Sequence, residues 1–180
     1  MYIGIDIGGS NARFGLADGS ENIIARHELP SGIYHGTWQT NLITGIDNLL
    51  AAAKVNITQV KAIGVGTPDL SLTFQGQKTT LRTPIKKILQ DKYGLPVIVE
   101  NDASVAALGE LVKGAGQGKK NFLFLILGTG IGGAAVEDGK LLKGANGRAG
   151  EFGHISVEAF GPPCGCGNRG CLHLYTSGQS

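Results

Sequence analysis

The chain has 180 residues, 42% of them hydrophobic and 17% charged, with a formal net charge of +2. That is ordinary globular composition, enough for one large domain or two small ones, and the small, dispersed charge removes the electrostatic case for nucleic acid or an anionic membrane as partner. No apolar run reaches the length of a membrane span and Met1 leads straight into a strand-like segment with no secretory stretch ahead of it, so a cytoplasmic location is expected.

Tyr2 to Asp6 is a short apolar run that ends in Gly8-Gly9, and Ala12 to Ala17 alternates again. The chain is therefore expected to open with a β-hairpin, which Ile23 to Leu29 extends as a third strand. Leu42, Ile43, Ile46, Leu49, Leu50 and Ala53 recur at three and four, the stripe of an amphipathic helix, and Val60 to Val65 reads as a buried strand. A helix over Pro84 to Tyr93, a strand over Pro96 to Val99 and a helix over Asp102 to Val112, with Val105, Leu108 and Leu111 inward, complete a βββαβαβα order. The Gly-Lys stretch 114–120 reads as a hinge. Beyond it, the strand Phe122 to Leu127 runs into Gly128-Thr129-Gly130-Ile131-Gly132-Gly133 and leaves through Ala134 to Glu137.

That last segment repeats the opening of the chain: an apolar strand, a glycine turn carrying a hydroxyl residue, a second strand, and a polar tight turn, Asp18-Gly19 first and Asp138-Gly139 later. Thirty glycines is the one unusual count, and they gather at such turns. Glycines there let backbone N–H groups converge on an anion with no Cβ in the way, and Ser10 or Thr129 can add a hydroxyl donor. Two such loops facing each other across a cleft would hold a polyphosphate from both sides. A hairpin also needs glycine for its own geometry, so either turn alone is equally well a structural feature. Neither fits the Walker pattern, because no Gly-Lys-Ser/Thr follows, nor the dinucleotide fingerprint, because a strand comes next instead of a helix.

All three cysteines lie in Cys164-Gly165-Cys166-Gly167-Asn168-Arg169-Gly170-Cys171, downstream of Glu151-Phe152-Gly153-His154. Three thiolates and one imidazole are the donor set of a closed tetrahedral zinc site, and the interleaved glycines let a short loop aim several sulfurs at one point. A disulfide fits badly, since three is odd and Cys164 and Cys166 are too close along the chain to pair without strain. The alternative is a glycine-rich loop with reduced, uninvolved thiols, although free cysteines normally scatter through apolar cores. A closed four-coordinate zinc has no open position for water, which argues against a hydrolase.

Asp6-Ile7-Gly8-Gly9-Ser10-Asn11, Glu100-Asn101-Asp102-Ala103, the Gly128 to Gly133 run, Gly150-Glu151-Phe152-Gly153-His154 and the Cys-x-Cys-Gly-x-x-Gly-Cys loop together resemble the ROK family of bacterial glucokinases, related sugar kinases and sugar-responsive repressors. The resemblance runs over nearly the whole chain, in order. It implies an α/β fold of the actin-like, ribonuclease H-like ATPase type. Each of its two lobes would start with a β-hairpin phosphate loop, residues 1–118 forming the first and 119–180 the start of the second, which is incomplete. It further implies a glucokinase-like enzyme that moves a phosphoryl group from ATP to the 6-hydroxyl of a hexose, glucose first, with Mg2+ and Zn2+ as cofactors and a homodimer as one assembly.

By the same resemblance Asp102 is the catalytic base, Asp6 lies by the magnesium, and Gly8, Gly9, Ser10, Asn11, Gly128, Thr129 and Gly130 contact phosphate. Asn101, Asp102, Glu151 and His154 grip the sugar, while His154, Cys164, Cys166 and Cys171 hold zinc, so that one His154 nitrogen binds metal and the other meets substrate. Asp102 stands at the start of a predicted helix, where the dipole favours an ionised carboxylate. Its plain alternative, with Asn101, is helix capping worth about 1 kcal/mol.

Several positions depart from the family pattern. His173 stands where the family usually has a sugar-contacting glutamate, so it is expected to take over that contact; Cys-x-His is also a workable spacing for zinc. The stretch from Gly66 to Pro84 is shorter than the family's loop and lacks its Asn and Trp. Family members continue well beyond the zinc loop with the part that holds the nucleoside. Either the chain is a fragment or truncated product, or a partner chain supplies that part, or the donor lacks a base, as polyphosphate does. Two alternatives to the kinase remain: a catalytically impaired sugar-binding remnant, and a sugar-responsive regulator lacking a DNA-binding domain, since the family's repressors carry a helix-turn-helix ahead of the first glycine loop and here Met1 stands at that loop's own strand.

Overall fold

Branched apolar residues alternating with small or polar ones make strands of Tyr2–Ile7 (β1) and Asn11–Ala17 (β2), which turn Ile3, Ile5 and Ile7, then Ala12, Phe14 and Leu16, inward. They open the computed structural model of the chain, which describes residues 1–74, 76–128 and 130–176. Contacts divide it into two units, Met1–Asp102 and Ala103–Ser180.

In the first unit β3 (Ile23–Pro30) pairs antiparallel with β2, and the helix α1 (Trp38–Ala53) crosses over to β4 (Ala62–Thr67). A hairpin of β5 (Ser71–Phe74) and β6 (Gln77–Thr80) follows, then α2 (Arg82–Tyr93) and β7 (Val97–Asn101). The sheet order is β3-β2-β1-β4-β7, with β4 parallel to β1 and β7 parallel to β4. Helices α1 and α2 supply the crossovers that parallel pairs need. The α1 stripe buries Leu42, Ile46, Leu49 and Leu50, and α2 adds Ile85 and Leu89. Gly45 is required here, because a Cβ on it would run into the Phe14 ring.

The strand expected at Val60–Val65 starts and ends later. Asn56 and Gln59 form a capping box around the 3-10 turn Ile57–Gln59, which holds Val60 out of the ladder although its side chain is buried. The β5–β6 hairpin was not expected: Leu72 and Phe74 alternate with hydroxyl residues in β5, but over four residues only, and β6 is polar throughout.

The second unit contains α3, which begins at Asp102 and runs to Lys113, followed by β8 (Phe122–Leu127), β9 (Ile131–Glu137), β10 (Lys140–Leu141) and the single turn α4 (His173–Thr176). Its sheet order, β10-β9-β8, is antiparallel throughout. The division at Asp102–Ala103 falls before α3, whereas the sequence reading drew the lobe boundary after it. Close packing of small residues explains the grouping: a Cβ on Gly132 of β9 would lie 3.3 Å from that of Ala103. The buried face of α3 is accordingly Ala103, Ser104 and Ala107, and Val105 and Leu108, expected inward, are exposed.

Candidate functional site

Parallel β1, β4 and β7 bring their carboxyl ends to one edge of the first sheet, with Asp6 opposite Gly66, Gly66 opposite Glu100, and Thr67 opposite Asn101. That edge is where open α/β sheets receive ligands. Asp6, the Gly8-Gly9 turn, Asn101 and Asp102 therefore meet there because of strand order, not sequence proximity. The turn is closed by the Gly8 N–H donating to the Asn11 carbonyl at 2.8 Å. Buried Ser31 pins it from β3's end, its hydroxyl donating to the Gly9 carbonyl at 3.0 Å and its N–H to that of Ser10 at 2.8 Å.

Around this edge the charges are paired. Burial pushes the Asp6 carboxyl above the ordinary carboxylate range; Arg13, at 3.7 Å, opposes this, and the Asp102 carboxylate adds to it. A divalent cation in front of Asp6 would offset that repulsion. The Asn11 amide donates to Glu28 at 2.8 Å, so this side chain is turned along the sheet. Arg82, at the head of α2, bridges Asp69 at 2.7 Å and Glu100 at 2.9 Å, and Glu100 accepts the Asn101 N–H at 3.0 Å. Arg82, Glu28 and Ser31 escaped the sequence reading: each acts on a partner more than a dozen residues away, and no local pattern marks such pairs.

In the second unit the Gly128–Gly130 turn joins β8 to β9, with the Gly128 N–H donating to the Gly130 carbonyl at 2.9 Å. Thr129, expected to contact phosphate, lies outside the described residues. The glycines that follow serve packing. A Cβ on Gly133 would sit 2.8 Å from the Gly150 carbonyl, and one on Gly153 would strike the Ile131 carbonyl. This backbone-on-backbone contact seats the 3-10 turn Phe152–His154 on β9, leaving Glu151 exposed at its head and His154 half-buried.

His154 faces the thiols. Its Nδ1 is 3.5 Å from Cys164 Sγ, Cys166 and Cys171 sulfurs are 3.6 Å apart, and the four donor atoms all lie within 4.8 Å of one another. Tetrahedral zinc spaces its ligands by about 3.5 Å for an N and S pair and about 3.8 Å for two sulfurs, so the His154–Cys164 and Cys166–Cys171 pairs are near ligand spacing and the set as a whole would tighten around an ion. Two short bridges, Ser156 with Cys171 and Pro163 with Arg169, fold the loop, and Gly167 and Gly170 take positive φ values of 93° and 60° that let it turn. Burial first, then the neighbouring Cys164 and Cys166 thiols, push Cys171 up to about 12, whereas the Asn168 backbone and Cys164 favour the Cys166 thiolate. Thiols so crowded that one resists ionisation are in the state that a bound dication relieves.

His173, expected at the sugar, places its Nε2 3.1 Å from Cys164 Sγ and its ring edge-on to His154, with centroids 4.9 Å apart. It is not among the four mutually close donors.

A five-stranded mixed sheet with crossover helices, followed by a second hairpin of the same antiparallel order, is the architecture of the actin-like ATPase fold. The ROK family model matches residues 2–180, and the chain belongs to that family. It is 38% identical to the glucokinase of Halalkalibacterium halodurans over 98% of this chain and 56% of that protein. The solved ROK glucokinase of Streptomyces griseus, in complex with glucose and AMPPNP, superposes with a TM-score of 0.80 at 32% identity, over 99% of this chain and 57% of that one. A xylose repressor of Bacillus spizizenii is 32% identical over 97% of this chain and 47% of its own. The chain thus spans a little over half the length of the glucokinases it matches, and the family holds regulators as well as kinases.

Proposed function

We propose that the protein serves as a hexose kinase, with glucose as the first candidate substrate and ATP as the donor. What carries the reading is the carboxyl edge of the first sheet, where one glycine turn and the carboxylates Asp6 and Asp102 stand together. Similarity to glucokinases gives the same direction.

In this reading Asp102 accepts the proton of the sugar 6-hydroxyl as its oxygen attacks the terminal phosphorus, while the bond to the leaving phosphate oxygen breaks and ADP departs. Phosphoryl transfer needs little covalent help, so the remaining groups position and neutralise. Backbone N–H groups of Gly8, Gly9 and Ser10, and of Gly128, Thr129 and Gly130, receive phosphate oxygens, with Asn11 flanking the first turn. Asp6 would hold Mg2+, which would supply charge neutralisation. Asn101, Asp102, Glu151 and the free Nε2 of His154 take the sugar hydroxyls.

His154, Cys164, Cys166 and Cys171 would hold Zn2+, whose role would be to fix the orientation of the His154 ring. The assignments of residues 1–118 to the first lobe and 119–180 to the second, of a homodimer and of the cytoplasm belong to the same proposal. No helix among the described residues is long and apolar enough to cross a membrane.

A second reading is a sugar-binding protein without turnover. It is favoured by His173, which stands where the family resemblance implies a carboxylate. A coupled assay across several hexoses, run in parallel with ATP and polyphosphate, separates the two. Turnover with either donor sustains the kinase, and tight sugar binding without turnover favours the second reading.

A further inference from the structure

His173 is close to the thiol cluster without belonging to it. Its Nε2 lies 3.1 Å from Cys164 Sγ, closer than the spacing of about 3.5 Å that two ligands of one tetrahedral zinc would adopt, and it falls outside the set of mutually close donors. The distance is that of a nitrogen hydrogen-bonded to sulfur.

The backbone holds it there. Leu172 donates its N–H to the Ile155 carbonyl at 2.9 Å, and Leu174 donates to Cys171 at 3.0 Å, so the residues on either side of His173 are tied to the ligand loop. The His154 ring, packed edge-on at an interplanar angle of 67°, limits rotation of the imidazole.

Three thiolates and a neutral imidazole around a dication leave one net negative charge, and Cys164 is a buried member of the set. An N–H aimed at a thiolate spreads that charge, whereas a carboxylate at position 173 would meet it as a like charge. We infer that His173 donates its Nε2 proton to the zinc-bound thiolate of Cys164 and so sets how tightly the metal is held. With Nε2 spent in this way, only Nδ1 is left to offer a substrate. The inference rests on the zinc assignment proposed above.

The test is chelator competition for Zn2+ by the intact 180-residue chain, paired with the visible spectrum of the Co2+-loaded protein. His173→Phe, which keeps the ring and removes the donor, is expected to lose about 10- to 100-fold in zinc affinity while its cobalt bands stay at the wild-type position. His173→Gln, which returns an N–H donor, recovers much of the loss, and His154→Phe shifts the bands because a ligand has gone. His173→Leu, equally without a donor, repeats the comparison independently of the aromatic ring.

Unchanged affinity in the Phe and Leu variants would overturn the inference, as would a Gln variant as weak as they are. Cobalt bands in His173→Phe that move as in His154→Phe would make His173 a ligand instead. A wild-type chain that retains no zinc would overturn the metal assignment itself, a separate and recognisable failure.

Discussion

Glycines between Gly128 and Gly153 do two different jobs, and substitution tells them apart. A Cβ on Gly128 or Gly130 meets nothing within 4 Å, whereas one on Gly133 would press on the carbonyls of Gly150 at 2.8 Å and Phe124 at 3.1 Å. Gly133→Ala should therefore destabilise the second unit by about 1–3 kcal/mol, the usual cost of overpacking, as measured by denaturant unfolding. Gly128→Ala should leave that transition in place and, if the turn receives phosphate as proposed, weaken nucleotide binding. If both variants unfold alike, the turn has no such role. From the sequence all these glycines looked alike, since a residue without a side chain records the need for space but not what fills it. The clustering of the three cysteines was legible for the opposite reason: they are separated by no more than a short loop, so spacing along the chain nearly fixes spacing in space. Glu28 and Arg82 depend on strand register and crossover geometry, which no local pattern carries.

Among the elements, β7 and α2 are joined by charge. Arg82 reaches Asp69 and Glu100 with all three side chains largely shielded, at 23%, 26% and 17% exposure. Removing the cation takes the Arg82 partner from two shielded carboxylates, Asp69 and Glu100, so Arg82→Leu should cost about 1–3 kcal/mol, less than a fully buried pair because solvent still screens it. It should also lower the rate of transfer, by loosening the strand end that carries Asn101 and Asp102. Denaturant unfolding and steady-state rates check the two parts; a variant with wild-type stability would show the pairs to be incidental.

The ligand loop poses a different problem. Residues 155–176 contribute two buried cysteines and few buried apolar side chains, and their backbone makes isolated bridges instead of a sheet. Small units of this kind are marginal without a staple, so removing metal with EDTA should lower the melting temperature of the second unit. Calorimetry before and after chelation reads this directly, and an unchanged melting curve would contradict it.

At the scale of the whole molecule, duplication was the strongest regularity in the sequence. The first unit begins with an apolar strand, a glycine turn and an antiparallel second strand, and the second unit repeats that series after α3, with β3-β2-β1 in one sheet matched by β10-β9-β8 in the other. The match stops there among the described residues. In the first sheet β1 has β4 as a parallel neighbour, whereas β8 pairs with β9 alone and leaves Leu123, Leu125 and Leu127 exposed. A run such as Phe122–Leu127, apolar on both faces, has the composition of a strand covered on both sides. Fold class was therefore readable from pattern and motif. The extent of each sheet was not, because pairing partners are set by topology.

The central claim is that Asp102 takes the proton of a bound hexose while a phosphoryl group moves to it. Comparing wild type with Asp102→Asn, with glucose-dependent conversion of ATP to ADP as the readout and the folded state checked by circular dichroism, tests that claim most directly. The account predicts turnover in the wild type and a loss of about 10²- to 10⁴-fold in a variant that remains folded. Equal turnover in the two proteins, or none in the wild type with either ATP or polyphosphate, would contradict it.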